Sequence, residues 1–432
     1  MQDYVGYRTQ KRLASKKKKH KWWRWLIVLA VLIVVFIILG AVLEISPIDT
    51  AWQKTVDGFN WVGRKVKALW PFKSPNRIPA SEFLPEGKET AYYLLAITKK
   101  YGDNLFTSTV VVAYYDSRNE TGSLVYIPND LSVNVPGVGM DQLSSLVELD
   151  EGRITKTLVT VENLLGIKVD RYVLGTDGDV RIVLDQIRDD WEVDVPARMS
   201  WKDMSLAVTV DLKPGKQKLS GKLLASYLTY SQPGKELDLI DRQRGFAPEF
   251  LAVSGGMFDD ISKLVTKNAS LLDTDASNKE LTGMWQAFTL LKGKALKQGT
   301  IPVKEFKFEN TTVHRVDTPE LPAFEKKYLD VSPASTGKRY RVEILNGNGV
   351  PGIGEQVASR LDLDTFQIVN SANADSFEHP ETVIIIYSQD AETVKAAEKL
   401  RNELEVGRIE AHPEAQDMAD ISVIIGKDYA SK

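Results

Sequence analysis

The chain contains no cysteine, which excludes a disulfide framework, a thiolate nucleophile and a cysteine-ligated zinc site. Histidine is nearly as scarce, four residues in 432, leaving little for a histidine-rich metal centre. The GxxxxGK phosphate loop, the GxSxG nucleophile elbow and the HExxH zinc motif are missing too. Beyond the first 24 residues an excess of basic charge is lacking as well. Those 24 carry nine Lys/Arg and one acidic residue, and the remainder has 46 basic against 57 acidic residues, a net of −11. That balance argues against a nucleic-acid-binding body. What is present is ordinary globular material, 43% hydrophobic and 26% charged, with length for two or three domains.

Charge is also lacking from residues 25–43, a run of Leu, Ile, Val and Ala. At 1.5 Å per residue, nineteen such residues span ~30 Å of hydrocarbon, so the run reads as a single N-terminal transmembrane helix. The basic tail 1–24 precedes it and Glu44 and Asp49 follow, which places the N-terminus in the cytoplasm and everything after the helix outside. The run is longer than a signal-peptide core and no A-x-A site follows, so the expectation is a retained anchor in the cell membrane.

Residues 44–87 form a juxtamembrane segment and linker. Its aromatic and basic part, 50–72, either lies along the membrane surface or packs on the first domain, and Pro71, Pro75, Pro79 and Pro85 follow. Residues 88–305 alternate strand patterns (92–97, 109–115, 124–127) with helix patterns (153–165, 179–188, 221–229, 242–254), which predicts a three-layer α/β domain. Pro319, Pro322, Pro333 and Gly337 mark a linker over 306–338. The chain then restarts as βαββα followed by strands, a small α+β domain over 339–432. The run NGNGVPGIG at 346–354 has the wrong spacing for a dinucleotide loop, and Pro351 removes a donor, so it reads as a strand-to-helix turn. The pairs Asp189–Asp190 and Asp259–Asp260 read as solvated acids rather than cation sites.

Several segments together resemble one family. TVENLLGIKVDRYV (160–173), EVDVP (192–196), VDLKPGKQKLSGKLLASYL (210–228) and DRQRGF (241–246) are similar, in order, to a LytR-CpsA-Psr (LCP) domain. VEILNGNGVPGIGEQVASRL (342–361) and TVIIIY (382–387) resemble the LytR C-terminal domain that often accompanies it. The resemblance implies an extracytoplasmic, Mg²⁺-assisted transferase that moves a glycopolymer from a polyprenyl-pyrophosphate carrier to peptidoglycan. Such chemistry requires carboxylates for the metal and arginines for the phosphates.

Position by position, that set is mostly replaced. Thr98 and Lys100 stand where the family has Asp and Arg, and Ser108 where it has a metal-associated Asp. Asn129, Thr229, Ser231 and Leu239 stand where it has arginines. Only Asp130, Arg242 and Gln243 survive, as candidate phosphate- or ligand-binding residues, the alternative being that Asp130 and Arg242 form a structural ion pair or solvated charges. No catalytic residue and no metal ligand is assigned. The expectation is a non-catalytic envelope protein acting as scaffold or binder of lipid-linked glycopolymer. Its alternative is an active Mg²⁺-dependent phosphotransferase, and Mg²⁺ is expected only in that case. The expected partners are the membrane, polyprenyl-phosphate lipid, cell-wall glycopolymer or envelope proteins, and no nucleic acid. Residues 110–113 and 223–228 are expected to wall a lipid tunnel, with Arg242 holding the phosphate.

Overall fold

The structure is a computed structural model that describes residues 77–432, apart from 137, 292, 309–310, 332–338, 413–418 and 431–432. The expected cytoplasmic tail, the transmembrane helix and most of the juxtamembrane segment lie outside the described residues. Among the described residues, no helix is long and apolar enough to cross a membrane.

The first domain runs β1 (Thr90–Tyr101), β2 (Asn104–Asp116), β3 (Thr121–Ile127), α1 (Thr155–Leu165), β4 (Arg171–Thr176), α2 (Asp177–Ile187), α3 (Gly221–Thr229), α4 (Glu236–Gly256), α5 (Ile261–Asn268), β5 (Asp273–Thr274), α6 (Asn278–Leu290) and β6 (Leu296–Thr300). The strands form one mixed sheet in the order β5-β4-β1-β2-β3-β6. The period of two explains its layering. Leu94 and Ala96, Val110 and Val112, and Val125 and Ile127 face one core with Val161 and Leu165 of α1. Their neighbours Tyr93, Ala113 and Tyr115 face the other way, against Met284 and Phe288 of α6. Both faces are apolar because both are covered by helices, which is why these strands read as nearly continuous hydrophobic runs.

The segment read as linker, 306–338, is largely structured, and the first domain extends beyond 305. β7 (Val303–Phe308) and β8 (Thr311–Val316) form a hairpin, and α7 (Leu321–Tyr328) follows. Leu321 and Leu329 belong to the first core, and a Cβ added at Gly299 of β6 would meet the rings of Phe324 and Tyr328 at 2.7–2.9 Å. The prolines misled because Pro322 opens α7, where a missing N–H costs nothing.

The second domain follows the expected order: β9 (Tyr340–Asn346), α8 (Ile353–Ala358), β10 (Phe366–Asn373), β11 (Val383–Ile386), α9 (Ala391–Leu404), β12 (Arg408–Ala411) and β13 (Ile421–Ile425). The sheet order is β10-β9-β13-β11-β12. The glycine-rich run is a strand-to-helix turn, with Gly349 at φ +75° and Gly352 at φ +77°. Asn346 Oδ1 accepts the N–H groups of Asn348 and Gly349, so these donors are already used.

The two domains join at the edge strand β10. Asn163 of α1 donates to Ile368 O at 2.9 Å and accepts from Ile368 N at 2.8 Å, giving partners to backbone groups that the edge leaves outside the ladder. Glu325 pairs with Arg339 at 3.1 Å and Lys156 with Glu355 at 3.0 Å. Burial pushes the Glu325 carboxyl up to about 7 despite Arg339, so this pair positions more than it stabilises. Asn163→Ala strands two buried main-chain groups and is expected to lower stability by roughly 2–4 kcal/mol. Urea unfolding of the purified chain checks this, and a loss under ~0.5 kcal/mol, the level of an ordinary surface substitution, would show the junction is built otherwise.

Candidate functional site

The residues singled out from sequence converge where β1, β2 and β3 meet the start of α4. A β-bulge lies there: the register slips between Ile97 and Thr98, leaving Ser108 as the extra residue of β2. Ser108 Oγ donates to Ile97 O at 3.1 Å, and Thr98 Oγ1 donates to Gly175 O at 3.2 Å. Asn129 Nδ2 reaches Thr107 O at 3.2 Å, and Thr229 Oγ1 bonds back to Ala225 O at 2.8 Å within α3. Leu239 is buried. Thr98, Ser108, Asn129 and Thr229 are thus short polar groups with main-chain partners, and Leu239 is apolar.

One cation does sit among them. Lys99 Nζ lies 2.6 Å from Asp203 Oδ2 and 3.3 Å from Asp177 Oδ2, with the Lys99 and Asp203 side chains almost wholly out of solvent. Thr98 and Ser108 offer no carboxylate, and Asp177 and Asp203 are committed to Lys99, so the residues present do not fit a Mg²⁺ ion at the family's position.

The three surviving candidates are held apart by their partners. Arg242 Nε donates to Tyr227 O at 2.7 Å and its Nη2 to Tyr230 O, while the guanidinium lies over the rings of Trp201 and Tyr227 at 5.2 and 5.4 Å. Burial draws its pKa down to about 10, which leaves it charged at neutral pH. It borders a cavity of about 620 Å³ that Glu192, Asp194, Asp238 and Asp241 also line, acidic surroundings that disfavour a phosphate. Gln243 Nε2 donates to Thr109 Oγ1 and to Leu228 O, both at 2.8 Å.

Asp130 pairs with His314 of β8 rather than with Arg242. The imidazole Nδ1 lies 2.7 and 2.9 Å from the two carboxylate oxygens. Glu236, in the first turn of α4, completes a buried group in which one donor atom from each residue lies within 4.8 Å of the others. Burial, with the Asp130 charge beside it, pushes the Glu236 carboxyl up to about 7. Glu236 and His314 escaped the sequence reading because their partner is remote, 184 residues away for His314. A signal did exist: a lone histidine in the alternating strand TTVHRV.

Beneath the site the sheet and α4–α6 flank an apolar cavity of about 390 Å³, lined by Val111, Ala113, Tyr126, Ala247, Phe250 and Trp285 among others. Of residues 110–113, Val111 and Ala113 line this cavity, whereas Val110 and Val112 face the opposite core. Residues 223–228 do not line it: Leu224, Tyr227 and Leu228 pack instead with Trp191, Val193 and Val210 in a separate core. Gln243, one turn before Ala247 and two before Phe250, shares the helical stripe that faces the cavity.

Comparison with known proteins adds the following. A family model described as the LytR_cpsA_psr family matches residues 98–329, and one described as LytR cell envelope-related transcriptional attenuator matches 339–429. The chain is 24% identical over 215 residues to Regulatory protein MsrR of Staphylococcus aureus (strain Mu50 / ATCC 700699), covering 49% of this chain and 64% of that protein. It is 24% identical over 246 residues to the polyisoprenyl-teichoic acid--peptidoglycan teichoic acid transferase TagV of Bacillus subtilis (strain 168), covering 54% and 62%. The crystal structure of B. subtilis TagV aligns with a TM-score of 0.49 at 20% identity, over 57% of this chain and 99% of that one. The chain thus spans less than two thirds of the length of either curated relative.

Proposed function

We propose, from the premise that this chain belongs to the LytR_cpsA_psr family, that it is a non-catalytic member which holds the isoprenoid chain of a lipid-linked envelope glycopolymer without cleaving it. In this reading residues 25–43 anchor it in the membrane and both domains work on the outer face. The observation that carries the proposal is a pairing: an apolar cavity of about 390 Å³ lies below a site where Thr98 and Ser108 offer hydroxyls already bonded to main-chain carbonyls. The volume falls in the ~300–1,000 Å³ range of small-molecule sites. An isoprenoid chain returns ~0.8 kcal/mol per buried CH₂ and asks nothing of the missing arginines. The name of the relative TagV, a transferase of polyisoprenyl-linked teichoic acid, supports this ligand class.

The test is lipid extraction and mass spectrometry of the purified chain, with titration of farnesyl phosphate. Saturable binding is expected for the natural chain. Ala247→Trp, which fills the cavity, is expected to weaken it at least ~10-fold, the loss of one or two buried methylenes being worth that much. Arg242→Ala is expected to leave affinity nearly unchanged, because the guanidinium is occupied by two main-chain carbonyls. Absence of both bound lipid and saturable binding would overturn the proposal.

A further inference from the structure

The cluster of Asp130, Glu236 and His314 belongs to none of the sequence segments that carry the family resemblance apart from Asp130, and the lipid-binding proposal does not use it. Its three side chains come from separate parts of the fold: the turn after β3, the first turn of α4, and β8. Each residue is at least nine-tenths buried. Two carboxylates and one imidazole bring two negative charges and at most one positive charge into a space where the donor atoms lie within 4.8 Å of one another. One of the donors is left over: Glu236 Oε2 is buried without a hydrogen-bond partner, while Asp130 and the Nδ1 of His314 are engaged with each other.

From this we infer a cation site: Asp130, Glu236 and His314 together bind a divalent transition ion, Zn²⁺ foremost, and so tie the β7–β8 hairpin to the sheet and to α4. The donor set selects the ion. An imidazole beside two carboxylates suits Zn²⁺ or Mn²⁺, whereas Mg²⁺ takes oxygen ligands in a near-ideal octahedron and keeps several waters, for which a buried nitrogen-containing group is poorly made. Tetrahedral Zn²⁺ at ~2.0–2.1 Å from each donor sets donors roughly 3.3 Å apart. The 2.7 Å contact of His314 Nδ1 with Asp130 therefore opens by about half an ångström as the ion replaces the proton between them. Three protein donors leave the fourth position to water or an anion. The site differs from the family's Mg²⁺ position, where Thr98 and Ser108 supply no carboxylate.

The experiment uses the full chain in detergent, without an affinity tag, stripped with chelator and dialysed against Zn²⁺, Mn²⁺ or Mg²⁺. Metal content and thermal unfolding are both read. With no cysteine in the chain, thiol binding does not confuse the result. About one Zn²⁺ per chain and a raised Tm are expected, with affinity falling in the order Zn²⁺, Mn²⁺, Mg²⁺. Glu236→Gln keeps the Asp130–His314 hydrogen bond, and with it the packing, and is expected to weaken Zn²⁺ by more than the ~10–100-fold that loss of an outer-shell group costs. His314→Gln should do the same, while substitution of the exposed His412 by Gln should not. Failure of the natural chain to bind Zn²⁺, or Zn²⁺ binding that survives both Glu236→Gln and His314→Gln, would overturn the assignment.

Discussion

Lys99→Met is expected to cost the chain about 3–5 kcal/mol, because it leaves two buried carboxylates facing each other with no cation between them. The ammonium lies 2.6 Å from Asp203 and 3.3 Å from Asp177, and the Asp203 side chain has no solvent exposure at all. Asp203 is otherwise well supplied, accepting from Ser226 Oγ at 2.7 Å and from Ser205 N at 3.1 Å. Asp177 is not: its Oδ2 has no hydrogen-bond partner and depends on the charge of Lys99. The double substitution Lys99→Met with Asp177→Leu should therefore recover part of the loss, since replacing charges together with apolar groups is far cheaper than stranding one. Urea unfolding followed by circular dichroism measures both. A cost below ~1 kcal/mol for Lys99→Met, the scale of a surface ion pair, would show that water reaches the group.

The second large effect is on rate. With Mg²⁺ present, the chain is expected to transfer glycan from a polyprenyl-pyrophosphate donor to peptidoglycan no faster than buffer does. Loss of one preorganised electrostatic group at an active site costs ~10²–10³ in rate. On the resemblance drawn from the sequence, Thr98 and Ser108 stand for two carboxylates, and Asn129, Thr229, Ser231 and Leu239 for arginines. The losses do not add independently, yet even a non-additive sum leaves only residual positioning. The packing agrees, since Thr98, Ser108 and Thr229 each spend their hydroxyl on a main-chain carbonyl. Mg²⁺-dependent turnover that Asp130→Ala abolishes would identify a divergent enzyme instead.

Much of the fold was legible because its signals are local. The apolar runs of β1 to β3 and the succession of elements along the second domain follow from hydrophobic patterning and turn chemistry alone. Errors arose where a local signal had a tertiary answer. The helix pattern over 242–254 is α4, which begins six residues earlier, at Glu236, behind a turn of Pro233 and Gly234. It also contains Pro248, which cannot donate to Arg244 O, and Gln298 Nε2 takes that carbonyl at 3.2 Å. The 306–338 stretch looked like linker because its prolines and charges keep no period, and in β7 the adjacent Phe306 and Lys307 are both exposed. At the site, the sequence offered Asp130, Arg242 and Gln243 as candidate ligand-binding residues. Which groups face one another could not be read, because the partners of Asp130 and Arg242 are fixed by long-range packing.

The central claim is that the chain keeps the lipid and leaves its pyrophosphate linkage whole. It is tested most directly by incubating the purified chain with Mg²⁺, peptidoglycan fragments and a polyprenyl-pyrophosphate-linked glycan, re-isolating it, and identifying the bound lipid by mass spectrometry. Intact donor, bound at about one per chain in the natural protein and lost in Ala247→Trp, is the expected result. Polyprenyl monophosphate accompanied by glycan on the peptidoglycan would contradict the loss of catalysis, and a chain that returns with no lipid would contradict the binding.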